Sequence, residues 1–295
     1  SNTEGIRNVS VGYGTLSNSI TASNNTAVGY LSSNANTTGD FNVSMGAYSL
    51  DANTTGVDNT AIGSYTLSAN STGVRNVAVG YASGFNNTTA NDNTSVGVCA
   101  LYTNTTGTSN SAFGEKASCL NTTGSANTSM GASALRAVTT GSDNSGIGVG
   151  AGMSVTTGTN NSFLGHDSGR STSPFEVTTE SNRIVLGNNS ITDAYIKVAL
   201  TVTSDLRDKT EIANVPHGLD FVDKLKPVSF KFKKSREDDT PTGTKHYGFL
   251  AQDILELEGD NNVIIDNEQP DHLKYKGEHL VPVLVNAIKE LKKEI

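Results

Sequence analysis

The sequence predicts a mainly β protein: an N-terminal β-roll or solenoid of 17-residue coils in a homotrimer, then a small α+β domain ending in a coiled-coil helix. Three observations carry that prediction. A pentad of Asn, any residue, a third residue that is small in nine copies, an apolar residue and Gly recurs ten times at a constant spacing of 17, from Asn8 to Asn161. Its fourth position is apolar in every copy, as at Val11, Met45, Ile62, Phe113 and Leu164. Charge then changes abruptly: residues 1–203 hold seven Lys/Arg and eleven Asp/Glu, residues 204–295 fourteen and eighteen. A shift from about one-tenth to about one-third charged marks two architectures.

A fixed period without insertions is the signature of stacked coils. Residues two apart share a face of a strand, so the apolar fourth residue points one way, and the Asn, the small third residue and the Gly point the other. Seventeen residues leave room for two short strands and two turns, with no helix. Stacking sets Asn above Asn, and amide ladders of that kind satisfy each other along the axis.

The apolar content bears on assembly. Each coil has one dependable apolar residue, and a second at Leu16, Leu50, Leu67, Leu101 or Leu135 in only half of them. At ~1.5–3 kcal/mol per buried aliphatic side chain, this is thin against ~1–2 kcal/mol of backbone entropy for each residue ordered. Burial of a further face against neighbouring subunits offsets part of the gap. The small third position (Ser10, Ala27, Ser44, Ala61) suits close approach of another chain, so an obligate oligomer is expected.

The pentads Asn25-Thr-Ala-Val-Gly29, Asn59-Thr-Ala-Ile-Gly63 and Asn76-Val-Ala-Val-Gly80 resemble the head repeats of trimeric autotransporter adhesins over about residues 5–170. That resemblance implies left-handed parallel β-rolls arranged as trimers. The adhesin coil is usually shorter than this one.

Composition excludes several classes of function. Each part is net −4 (7 − 11 and 14 − 18), so neither offers a basic surface for nucleic acid. No run of about 18 apolar residues exists to insert into a membrane. Cys99 and Cys119 fall at different phases of the repeat and read as two free thiols. His166 lacks a second ligand at metal-like spacing, and no metal or cofactor is expected. Acidic residues of the repeat (Asp40, Asp51, Asp58, Asp92) are sparse and out of phase, so no carboxylate pair stands out for glycosidase work.

The rhythm stops after Gly165, and residues 171–203 read as a β neck between the 1–170 repeat and a 204–295 domain. Asn182-Arg-Ile-Val-Leu-Gly187 looks like one last off-register coil, and residues 194–203 are rich in strand formers. Beyond Lys209 the signals are those of a globular domain. Residues 218–226 form a short amphipathic helix stopped by Pro227, and residues 228–233 alternate as a strand. Residues 235–245 read as a hairpin loop. Residues 247–257 run from strand into helix, and 263–265 form another strand. From Glu278 the chain is helical, with Leu284, Ile288, Leu291 and Ile295 on a heptad seam that suits a trimeric coiled coil or packing on the domain itself.

Ser204-Asp-x-Arg-x-Lys209, Leu225-Lys-Pro227, Tyr247-Gly-Phe-Leu-Ala-Gln-Asp253 and the Ala287–Leu291 helix, in that order, resemble the C-terminal intramolecular chaperone, or auto-processing, domain of phage tail fibres and endosialidase tailspikes. The resemblance implies a trimerising domain that guides folding of the preceding fibre. It also implies self-cleavage at Ser204–Asp205 by a Ser204/Lys209 dyad, a single turnover in cis with no external substrate. Attack by a serine hydroxyl on its own carbonyl closes a four-membered ring, so Thr203–Ser204, or action on a neighbouring chain, competes. A dyad five residues apart meets only across a tight turn or between subunits, because a strand would hold the two ~16 Å apart and a helix would set them on different faces.

The function expected is therefore the distal part of a homotrimeric viral tail fibre, extracellular in the virion, that attaches to a host cell-surface receptor, a glycan among the candidates. A polysaccharide-degrading tailspike and a bacterial trimeric surface adhesin are the alternatives. The adhesin reading expects a membrane-anchoring barrel at the end, where this chain has a charged helix.

Overall fold

The computed structural model describes residues 4–170, 176–191, 193–197, 204–233, 236, 238–260 and 262–295. The chain divides into two compact units, Ser1–Asn189 and Ser190–Ile295.

The first unit is a β-solenoid. Each pentad contributes one three-residue strand, and eleven strands, β1 (Val9–Val11) to β11 (Ile184–Leu186), pair in chain order as one parallel sheet. Register never slips through the repeats: Val9 faces Thr26, Thr26 faces Val43, and Val43 faces Thr60. The last step is longer, with Ser162 facing Ile184, so the off-register coil at Asn182–Gly187 is the eleventh level. Of the strand expected over 194–203, residues 194–197 carry no regular structure and 198–203 lie outside the described residues.

Two features of the coil differ from the expectation. There is one strand per coil, not two. The remaining residues run through turns in which Tyr65 and Leu67 take φ of 60° and 46°, and left-handed residues interrupt an extended run. The faces also serve different partners than expected. The small third residue does not await another chain; Ala27, Ala61, Ala78 and Ala112 are sealed inside their own coils. The apolar fourth residue stands outside, as at Met45, Ile62, Phe113, Met130, Ile147 and Leu164. A larger group fits at that level only where neighbours make room, as Phe163 does beside Gly152 and Gly169.

The same need for room explains why a second apolar residue occurs in only half the coils. Leu67 is buried, and its branched end spreads to the next level, where Gly84 holds the equivalent position. A Cβ on Gly84, already at φ 61°, would lie 2.9 Å from Leu67 Cδ2. Large and small residues thus share space between levels.

Polar ladders fill the rest of the interior. The pentad ladder is as the period implies: Asn76 donates Nδ2 to Asn59 Oδ1 at 3.1 Å and to Ala90 O at 2.8 Å, and Asn93 N donates to Asn76 Oδ1 at 3.0 Å. A second ladder, eleven residues along each coil, links Asn36, Asn53, Asn70, Asn87, Asn104 and Asn121 by Nδ2-to-Oδ1 bonds of 2.8–3.1 Å. It stops where Val138 stands above Asn121, leaving Asn121 Oδ1 without a partner among the described residues. From there the interior is apolar: Leu135, Val138, Val155, Phe163 and Val177 form one cluster. Outside, Tyr13, Tyr30, Tyr48 and Tyr65 line up with ring centroids 5.0–5.5 Å apart.

The second unit is a small α+β assembly. Helix α1 (Leu219–Asp223) precedes an antiparallel hairpin of β12 (Val228–Lys233) and β13 (Pro241–Gly248), then helix α2 (Ala251–Glu258). Residues 241–245, expected in the hairpin loop, belong to β13. Asp238 accepts from Thr240 N at 3.0 Å, which closes the turn early and releases the rest to pair. Strand β14 (Ile265–Asp266) pairs with β15 (Lys274–Tyr275), and helix α3 (Leu280–Glu294) ends the chain.

Phe221, Ile254, Ile264, Ile265, Leu280 and Val283 form the core of this unit. The buried Glu258 carboxylate accepts from the N–H groups of Val263, Ile264 and Ile265 at 2.7–2.9 Å, which offsets the cost of its burial. Helix α3 packs inward through Leu280, Val283 and Ala287, while Leu284, Ile288, Leu291 and Ile295 of the heptad seam face solvent. Its two faces are therefore separate.

Candidate functional site

Ser204 and Lys209 flank a single 3-10 turn, Leu206–Asp208. Asp205 caps it: its Oδ1 accepts from Arg207 N at 2.9 Å, and Asp208 N and Lys209 N donate to Asp205 O and Leu206 O at 3.2 Å each. Asp at a cap position competes for backbone donors in this way, so Ser-Asp-Leu-Arg-Asp turns sharply where an extended chain would not.

The turn brings the dyad together. Lys209 Nζ donates to Ser204 Oγ at 2.7 Å, within one chain. Of the two routes open to residues five apart, a tight turn or another subunit, this chain takes the turn. Both residues are exposed.

The neighbouring charges pair with each other. Asp205 receives Arg207 Nε on Oδ1 at 3.0 Å and an Arg207 terminal nitrogen on Oδ2 at 2.6 Å. That fork holds the Asp205 carboxyl below the usual carboxylate range and pushes the Arg207 guanidinium up. Asp205 is thus committed to Arg207 and not to Lys209. The arrangement offers a hydroxyl nucleophile and an amine in hydrogen-bond contact, at the residue before the Ser204–Asp205 bond. Thr203, which carries the competing carbonyl, lies outside the described residues.

The rest of the domain holds the segment after the turn. Glu290 on α3 accepts from Leu219 N at 2.6 Å, and Asn286 on α3 donates to Val215 O and His217 O at 3.2 and 3.3 Å. The terminal helix therefore grips the start of α1. The heptad pattern leaves α3 open to a coiled coil or to packing on its own domain; it does pack on the domain, and the polar grip has as its trace only Asn286 and Glu290 four apart. Sequence reasoning also missed Glu258, whose role depends on a loop that no periodicity encodes.

Among the described residues no helix is long and apolar enough to cross a membrane. Residues 204–264 match the model of a family described as the chaperone of endosialidase. The match begins at Ser204 itself and covers the turn, α1, the hairpin and α2; residues 265–295 lie beyond it. No curated protein and no solved structure matches the chain. The chain thus joins an endosialidase-type chaperone segment to a β-solenoid of 17-residue coils.

Proposed function

We propose that the chain is the distal part of a homotrimeric viral tail fibre, whose solenoid meets the host surface and whose C-terminal domain drives trimeric folding and then releases itself. The observation that carries the reading is the 2.7 Å contact of Lys209 Nζ with Ser204 Oγ at the first residue of the matched chaperone segment. Two exposed apolar surfaces support the trimer: the row of fourth pentad residues along the sheet, and the heptad seam of α3. Both are unfavourable in a lone chain and are removed from water when copies meet.

The chemistry follows from the pair. Neutral Lys209 takes the Ser204 hydroxyl proton as Oγ attacks a carbonyl carbon, forming an ester and releasing an amine that takes the proton back. Water then hydrolyses the ester and restores the serine. Attack on the Ser204–Asp205 bond of a neighbouring chain avoids the four-membered ring. A lysine in water is protonated at neutral pH, and burial disfavours that charge. Covering the exposed pair with a neighbouring subunit would therefore switch it on, so that cleavage follows assembly.

Intact-mass spectrometry of the expressed protein tests this. Cleavage at Ser204–Asp205 releases a fragment of 91 residues (295 − 204). Ser204→Ala and Lys209→Ala should each abolish it, and cleavage persisting in both would remove the dyad. A fragment beginning at Ser204 would move the cut to Thr203–Ser204.

A further inference from the structure

The solenoid carries one pair of reactive side chains that attachment and self-release do not use. Cys99 and Cys119 are both free and half-buried. Cys99 lies six residues after Asn93 and Cys119 nine after Asn110, and that difference in phase is why the sequence does not unite them. The coil does. Lys116 N donates to Val98 O at 2.9 Å, Leu101 N to Ala117 O at 3.0 Å and Thr103 N to Cys119 O at 3.1 Å, so residues 98–103 and 116–119 lie on adjacent levels. Cys119 N then donates to Lys116 O at 3.3 Å, which folds Cys119 back towards the residue above Cys99.

Two coils earlier, Tyr65 and Phe85 hold the same two positions. Their segments are joined by the same three bonds, Ala82 N to Ser64 O, Leu67 N to Ser83 O and Ala69 N to Phe85 O, at 2.9–3.1 Å. The backbone agrees as well, with φ of 60° at Tyr65 and 55° at Cys99. The two rings touch, their centroids 6.4 Å apart. Side chains at this pair of positions therefore point the same way and meet across a level. Cysteines there lie on the same side of adjacent levels. Burial pushes the Cys119 thiol up, and the nearby Cys99 adds to that, an independent sign that the two sense each other. A disulfide needs Cα atoms roughly 4.4–6.8 Å apart, and the turn from Lys116 O to Cys119 N shortens the diagonal from Cys99 to the next level.

We propose that Cys99 and Cys119 are a cross-coil redox pair that a low-molecular-weight disulfide, such as oxidised glutathione, converts to an intramolecular disulfide. One protein thiolate attacks a reagent sulfur and displaces a glutathione thiolate. The second protein thiolate attacks the protein-bound sulfur of the mixed disulfide and displaces the other. The two cysteine protons end on the two released glutathiones, so two thiols are oxidised as one reagent disulfide is reduced. The bond ties residues 20 apart (119 − 99) on successive levels and restricts the unfolded chain. It staples the middle of the solenoid in an oxidising environment and leaves it unstapled in a reducing one.

The test treats the full chain with oxidised glutathione and counts thiols, maps peptides without reduction, and follows thermal unfolding. Both thiols should disappear together, with a Cys99–Cys119 crosslinked peptide from one chain, no retained glutathione and a higher Tm that dithiothreitol reverses. Cys119→Ser should stop at a stable glutathione adduct on Cys99, and Cys99→Ser at one on Cys119. If one variant fails to fold, the other and the peptide map of the unaltered protein still decide. Two glutathiones retained per chain, a disulfide between chains, or thiols that do not react would each overturn the pair.

Discussion

Ala61 and Ile62 are consecutive residues of one strand; the first is sealed from solvent and the second is 39% exposed. Repeated at the levels of Ala27 to Gly146, this opposition gives the solenoid a small-residue face inside and an apolar outer row. The row is the surface that assembly would cover. Ile62→Asp combined with Met130→Asp should abolish self-association and leave the coil intact. Light scattering should give three chain masses for the unaltered protein and one for the variant, with unchanged β circular dichroism. A variant that stays trimeric would move the interface elsewhere. Ala61→Leu should do the reverse, destabilising the coil by about 1–3 kcal/mol through overpacking.

The buried amides make a separate demand. Asn76→Ala removes donors to Ala90 O and Asn59 Oδ1 and the acceptor of Asn93 N. Each buried group left unpaired costs about 1–3 kcal/mol. Denaturant unfolding should show a loss of that order, and Asn76→Asp should not rescue it, because it buries a charge and still lacks the donors. A loss no larger than that of Thr72→Ala on the exposed side of the coil would count against the ladder.

Asp51 gives the solenoid a pH dependence. It is half-buried and accepts from Ser68 Oγ at 2.6 Å, yet desolvation pushes its carboxyl above the ordinary 3.8. A raised carboxyl favours the protonated form in the folded state, so its contribution is unfavourable when ionised. The penalty is absent below the unfolded value, grows as pH rises through the window up to the folded value, and stays constant above it. Asp51→Asn should therefore raise Tm at neutral pH, with the gain vanishing near about pH 3. A gain that persists in acid would point to packing and not to charge.

The C-terminal domain should matter during folding and not afterwards. A chain ending before Ser204 should yield misfolded or aggregated solenoid, whereas removing the domain after assembly should leave trimers intact. Normal trimers from the truncated gene would refute the chaperone role.

The sequence disclosed the repeat, its register and its level count, because identical residues must stack at a single spacing. Flanking motifs singled out Ser204 and Lys209, and the turn sets the two in contact. The sequence did not disclose which strand face lines the coil interior, since alternation separates two faces without saying how wide the coil is. The second Asn ladder was hidden for a related reason: Asn36 to Asn121 sit in Thr/Ser-rich turns, where asparagine is ordinary composition. The placement of Cys99 and Cys119 on the same side of adjacent levels was hidden because the turn joins different phases of the repeat. Each miss concerns a cross-section, and a one-dimensional period carries no cross-section.

Through the regular repeats, each level also presents the same pentad bonds to the level above as it receives from the level below: Asn59 stands to Asn42 as Asn76 stands to Asn59. Excising residues 59–75 would set Asn76 on Asn42 in the same backbone register, at the cost of local contacts such as Arg75–Asp92 and Ser68–Asp51. Length is therefore quantised. The gene can lengthen or shorten this body by whole 17-residue units without redesigning the strand pairing, and the 22-residue last step shows that extra residues are accommodated outside the strand. Reach becomes a trait that varies in steps, independently of the machinery that folds it.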